Sequence, residues 1–158
     1  MKQLKEILSY DPKTGHFTWL VSTGRGAHRK HPGYRAGGLK EGYRVIGIAN
    51  EIFLEHRLAW FYMTGAWPSQ IDHVNGIRDD NRWNNLRVAT VSQNGWNRTK
   101  QSNSTTGLKG VSFHRNRYGN QWRAKLGKRE LGYHASKESA YAAYCKAAAE
   151  TCGEFARG

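Results

Sequence analysis

Cysteine is nearly absent from these 158 residues: there are two, Cys145 and Cys152, both within the last fourteen positions. No CxxC pair and no Cys/His quartet exists, which argues against a structural zinc. Cys145 falls where a helix is expected, so a buried free thiol is the simple reading, and a reducing, cytoplasm-like compartment fits. No run approaches ~18 consecutive apolar residues, so no helix is expected to cross a membrane. The N-terminal MKQLKEILSYDPKTG has a Lys pair but no apolar stretch long enough for a signal peptide. Carboxylates are also scarce: 12 Asp and Glu face 25 Lys and Arg, for a net charge of +13. With 38% hydrophobic and 12% aromatic residues the chain is too apolar for a disordered polycation. It reads as a soluble cytoplasmic protein of one ordinary domain or two small ones, with a polyanion as partner.

The charge is unevenly placed. Residues 1–50 carry a net +6, 51–97 carry −1, 98–134 carry +8, and 135–158 carry zero. A bland surface would intersperse its signs. Two basic blocks flanking a near-neutral centre, where Asp72, Asp79 and Asp80 are bunched, point to phosphate contacts at the flanks and other chemistry in the middle.

Residues 2–9 predict a short helix, HFTWLV (16–21) a strand, and the Gly- and Arg-rich 22–42 an irregular loop. GYRVIGIAN and EIFLEH predict a hairpin turning near Asn50. HRLAWFYMTG predicts a helix with Leu58, Phe61 and Tyr62 on one face and Gly65 as its stop. IDH (71–73) and LRVAT (86–90) read as strands around a polar loop, and SQNGWNR as a helix with Ser92 as N-cap. Residues 99–107 contain nothing to bury and are the linker candidate. Beyond them, 110–114, 121–126 and 130–134 predict three strands. A final helix is capped by Ser136, has one face of Ala140, Tyr144, Ala147 and Ala148, and stops at Gly153. There is no internal repeat. The fold class is α+β: a mixed α/β module over 1–98, then a small three-stranded antiparallel sheet packed on one helix over 108–158.

The chemistry is concentrated in Ile71-Asp72-His73-Val74-Asn75-Gly76, Asp80-Asn81, Asn84-Asn85-Leu86 and Gln93-Asn94. Cutting a phosphodiester requires a deprotonated water beside phosphorus and neutralisation of the leaving 3′-oxygen. A neutral His takes a proton near pH 7, and a hard divalent cation suits a carboxylate paired with an amide oxygen. Asp72 and His73 are adjacent. On a regular strand they point to opposite faces, so a kink or a strand end must bring both toward one phosphate. Gly76 and the Asn/Asp-rich stretch suit a sharp loop.

DHVNGIRDDNRWNNLRVATVSQN resembles the signature of HNH endonucleases of the phage and intron homing type, and HRLAWFYMTGAWP resembles the segment before it. The similarity runs from about residue 40 to 98. It implies a ββα-metal nuclease module with His73 as the water-activating base. It implies Asp72 and Asn94 as ligands of a single divalent ion, Mg²⁺ or alternatively Mn²⁺, and Asn85 as the residue tying the loop to the hairpin. The last motif letter is Asn94 and not His, which matches the homing branch. Asn97, three residues on, is a competing ligand, and His56 is expected to be structural.

The pattern GV…WRA…LGY…AAY…GEFA resembles the APETALA-type DNA-binding domain of plant ethylene-response factors, over roughly 107–157. In that family a sheet face lies in the major groove. The resemblance places Lys109, Ser112, His114, Lys125 and Lys128 near double-stranded DNA. Arg123 is expected there too, as are Arg115 and Arg117, which sit in a loop longer than that family's, and Trp122 is expected in the core or beside a base. Together the two resemblances imply a metal-dependent DNA endonuclease positioned by a C-terminal sheet. The alternative reading is a non-cleaving DNA-binding regulator on the same fold. No membrane and no small-molecule cofactor is expected.

Overall fold

The computed structural model describes residues 2–24, 29–97, 106–116 and 119–155, which fall into two compact units, Met1–Thr90 and Val91–Gly158. Both are mixed α/β, made of small antiparallel sheets and a few helices. No helix among the described residues is long and apolar enough to cross a membrane.

In the first unit, α1 (Lys2–Ile7) runs directly into β1 (Leu8–Asp11), which pairs with β2 (His16–Trp19). The helix is shorter than expected because Leu8 and Tyr10 alternate with Ser9 in strand fashion, and both bury their side chains with Phe17 and Trp19. The strand likewise ends at Trp19, leaving Leu20 exposed. The turn between β1 and β2 carries Gly15 at φ +75°, and a Cβ there would lie 2.3 Å from the carbonyl carbon of Asn81. Only glycine fits that approach.

The segment expected to be irregular holds β3 (Gly38–Lys40), the edge of a sheet ordered β3, β4 (Tyr43–Ile48), β5 (Glu51–Leu54). The β4–β5 turn is Ala49-Asn50, both at positive φ (48° and 69°), the geometry that matches strand twist in a two-residue hairpin. Helix α2 (Glu55–Thr64) follows and ends where Gly65, at φ 77°, donates its N–H to the Phe61 carbonyl at 2.8 Å. Its Leu58 and Ala59 enter the core beside Ile46, Ile71 and Leu86, with Phe61 and Tyr62 half-buried against it. At its start Glu55 is fully buried and 2.6 Å from Arg44. Burial pushes the Glu55 carboxyl up, and the Arg44 guanidinium opposes it. Strands β6 (Ile71–His73) and β7 (Leu86–Val88) pair as a hairpin across a loop that includes a 3-10 turn, Trp83–Asn85.

In the second unit, α3 (Val91–Asn97) places Trp96 against Leu126, Tyr144 and Cys152. Ser92 lies inside α3, so it is not the cap expected of it. Of the expected linker, 99–105 lie outside the described residues. Thr106 is buried and its hydroxyl donates to the Val111 carbonyl at 2.9 Å, so the tract does bury something at its end. Strands β8 (Val111–Asn116), β9 (Gly119–Leu126) and β10 (Arg129–His134) form a sheet ordered β10, β9, β8. It packs on α4 (Lys137–Cys152) through Val111, Ala124 and Leu126 against Ala140, Tyr144, Ala147 and Ala148. The Ser136 hydroxyl accepts from the Ser139 N–H at 3.1 Å as the helix cap. Cys145 is exposed and Cys152 is buried, the reverse of the expectation for Cys145. On a helix of 16 residues the buried face is set by Tyr144 and Ala148, and position 145 turns away from it.

Candidate active site

The β6–β7 hairpin carries the site. Asp72 is opposite Arg87 in the ladder and His73 is opposite Leu86. Strand alternation separates the two side chains, and their partners differ accordingly. The Asp72 Oδ2 accepts two N–H groups of Arg87, from Nε at 3.0 Å and Nη2 at 2.9 Å. His73 is the last strand residue, and the chain turns immediately after it: Gly76, at φ 68°, donates its N–H to the His73 carbonyl at 2.8 Å.

The loop that follows is closed by its own amides. Asn85 accepts from the Asn75 N–H at 3.0 Å and donates to the Asp80 carbonyl at 2.7 Å. Asp80 accepts from the Arg82 guanidinium at 2.6 and 2.8 Å and from the Asn75 amide at 2.6 Å. Arg82 first, then Asn75, hold the Asp80 carboxyl down at about 2.

His73 lies in a buried polar cluster. Its Nε2 is 3.1 Å from the Asn81 Oδ1. The His56 ring meets it edge-on at 5.0 Å between centroids, and the Tyr43 ring stands 6.3 Å away with Arg78 over its face. Burial lowers the His73 pKa from its ordinary value, against the opposing pull of the Asn81 bond and of Asp72, Asp80 and Asp79. Burial thus favours the neutral ring, the form able to accept a proton. Burial, then the neighbouring His73 and Arg57, drive His56 down to about 3.

Asn94 and Asn97 belong to α3 of the second unit, Asn94 half-buried and Asn97 buried. Among the described residues no group of three or more His, Cys, Asp and Glu could hold a metal ion. The buried Asp72 carboxylate is a hard oxygen donor, the kind that suits a cation such as Mg²⁺, which keeps most of its water.

In the second unit, strand alternation puts Ser112, His114, Arg123 and Lys125 on the sheet face away from α4. Ser112 and His114 are exposed, and the His114 ring lies 5.4 Å from that of Tyr133. Arg123 is bound to Glu130, and Lys125 is 3.6 Å from the same carboxylate. Lys128 is exposed in the β9–β10 turn. Arg115 is exposed but shares the parity of Val111, and Trp122 packs half-buried against the Ala124 and Ala140 cluster. The Lys109 ammonium donates to the Trp96 carbonyl. Arg117 lies outside the described residues.

Sequence pattern singles out neither Arg87 nor Tyr43, and it names Asn81 with Asp80 in the chemistry-bearing stretch without a role. Arg87 enters through the register that sets it across from Asp72.

Residues 53–96 match the family model described as HNH endonuclease. Protein 3.8 of Escherichia phage T7 is 33% identical over 73 residues, which are 45% of this chain and 59% of that protein. The chain thus spans less than two thirds of the length of this relative. No solved structure matches. Residues 53–96, which include Asp72 and His73 of the β6–β7 hairpin, are thus similar to an HNH endonuclease domain.

Proposed function

We propose that the protein is a metal-dependent DNA endonuclease that hydrolyses phosphodiester bonds, with His73 as the base that deprotonates the attacking water. The observation that carries this reading is the place of His73: a buried imidazole 3.1 Å from the Asn81 amide oxygen at the end of a strand, next in sequence to Asp72. Asp72 is the carboxylate ligand, and the sequence resemblance adds Asn94 as the amide one. A bound divalent ion, most simply Mg²⁺, would neutralise charge on the leaving 3′-oxygen. Asn85 and Asp80 hold the loop rigid, which keeps the strand end from fraying. Arg87 orients the Asp72 carboxylate.

The second unit is proposed to grip duplex DNA with the outer face of β8–β10, a two-layer module that the resemblance to plant APETALA-type domains supports. Ser112, His114, Arg123 and Lys125 would meet bases or phosphates there, and Lys128 the backbone.

A second reading, a DNA-binding regulator that does not cut, is favoured by one observation. Two N–H groups of Arg87 already engage the Asp72 oxygen that an ion would use. Incubation of supercoiled plasmid with the protein, in Mg²⁺ and then in EDTA, separates the two. The nuclease reading expects nicked or linear product in Mg²⁺, none in EDTA, and none from Asp72→Ala. Gel retardation without product in any divalent ion establishes the regulator instead.

A further inference from the structure

We propose that Asn81 is the positioning residue of His73, and that the N-terminal β1–β2 hairpin, outside the matched stretch 53–96, is the part of the fold that holds Asn81 in place. The inference rests on the nuclease reading for its kinetic consequence, though not for its geometry.

Asn81 is only 1% exposed, and its side-chain oxygen faces the His73 Nε2 at 3.1 Å. An amide oxygen only accepts, so Nε2 carries the ring proton and donates it. That bond fixes both the tautomer and the orientation of the imidazole. The Asn81 Nδ2, by contrast, finds no hydrogen-bond partner among the described residues. A buried donor left unpaired destabilises a fold. An apolar residue of the same volume would avoid that loss, so packing does not explain the amide, whereas orientation of the imidazole does.

The backbone of Asn81 is fixed from the hairpin side. The Tyr10 hydroxyl, on β1, donates to the Asn81 carbonyl at 2.7 Å in a buried bond. The Trp83 N–H donates to the Pro12 carbonyl in the β1–β2 turn at 2.9 Å. Gly15, in the same turn, lies so close that its absent Cβ would sit 2.4 Å from the Arg82 nitrogen. One hairpin thus brackets the peptide bonds that follow the Asn81 Cα and its successor. A displacement of the hairpin moves the amide, and a shift of about 1 Å in a reacting group is enough to cost 10²-fold in rate.

Two measurements on the full chain test this. Nitrogen-15 NMR of the histidine rings should show a slowly exchanging proton on the His73 Nε2 in the wild-type protein. Asn81→Leu, which keeps the branched heavy-atom skeleton, should lose that proton to fast exchange. It should lower kcat on duplex DNA by about 10–10²-fold, with little change in the affinity for DNA. Tyr10→Phe, which removes one hydroxyl and keeps the core ring, should move both readouts in the same direction by less. A wild-type ring protonated on Nδ1, or an Asn81→Leu variant with wild-type kcat, overturns the assignment. If no variant and no wild-type protein cuts DNA, yet the ring proton is present in the wild type and lost in Asn81→Leu, the nuclease reading falls and the Asn81–His73 coupling stands.

Discussion

At the scale of single residues, the two buried histidines make stability depend on pH in a defined direction. The unfolded His56 has an ordinary pKa near 6.5 and the folded one about 3. Between those values the unfolded chain binds a proton that the folded chain refuses, so its contribution is intact above about pH 6.5 and is lost as pH falls toward 3. His73, also lowered by burial, acts with the same sign. Urea midpoints measured from pH 7 to pH 4 should therefore decline, with His56 alone contributing up to about 1.4 kcal/mol per pH unit inside the window. His56→Gln should flatten that decline; an unchanged acid limb would show that His56 is solvated. Asp72 and His73 stand out in the sequence through their adjacency, the Gly76 turn and the amide-rich loop, and the structure sets both on one hairpin closed by that loop. His56 was expected to be structural and is buried, but nothing in HRLAW shows that its ring would stand edge-on to His73. Asn81 was not legible as a partner of His73, since a residue eight positions on comes back to the strand only once the loop is closed by Asn85 and Asp80.

At the scale of elements, the first unit is held by a charge pair that sequence periodicity does not reveal. Glu55 begins α2, where an acid is expected from the helix dipole, but here it is fully buried and bridges to Arg44 of β4, whose guanidinium also donates to the Ala36 carbonyl at 3.0 Å. One pair thus joins α2, β4 and the strand-free segment before β3. Arg44→Ala would leave a buried carboxylate without its cation, a loss of about 3–5 kcal/mol. Equilibrium unfolding in urea should show that loss as a lowered midpoint with an unchanged slope, and a shift below about 1 kcal/mol would mean the pair is solvated. The elements whose signals were local were legible: the Ala49-Asn50 turn, the Gly65 stop, the Ser136 cap and the alanine face of α4. The elements misread were those decided by partners far along the chain. Strand β3 exists because β4 offers it a ladder edge, and α1 gives way at Leu8 because β2 does the same.

At the scale of the whole molecule, the segregated charge remains the strongest pointer to a polyanion, and the structure qualifies how much of it is available. Within the +8 block 98–134, Glu130 engages both Arg123 and Lys125 on the proposed DNA face, and Lys109 is turned inward to the Trp96 carbonyl. Glu130→Gln should release two cations. Duplex affinity should rise, and the fall of log K with log[salt] should steepen by about 0.9 for each additional phosphate neutralised. Equal affinity and slope in the variant would remove that sheet face from the interface. The division into two basic regions around a near-neutral centre was legible from counting. Which of those charges are committed to intramolecular partners was not, because that depends on cross-strand register. The proposed role of His73 is to activate water for DNA hydrolysis. Its most direct test is single-turnover cleavage of a long duplex in Mg²⁺, comparing wild type with His73→Ala at concentrations where both are fully bound. The wild type should cut, and the variant should be slower by about 10²–10⁴-fold with the same dissociation constant. Equal rates would contradict the assignment of His73 as the base, and a wild type that binds the duplex and never cuts it would contradict the nuclease reading itself.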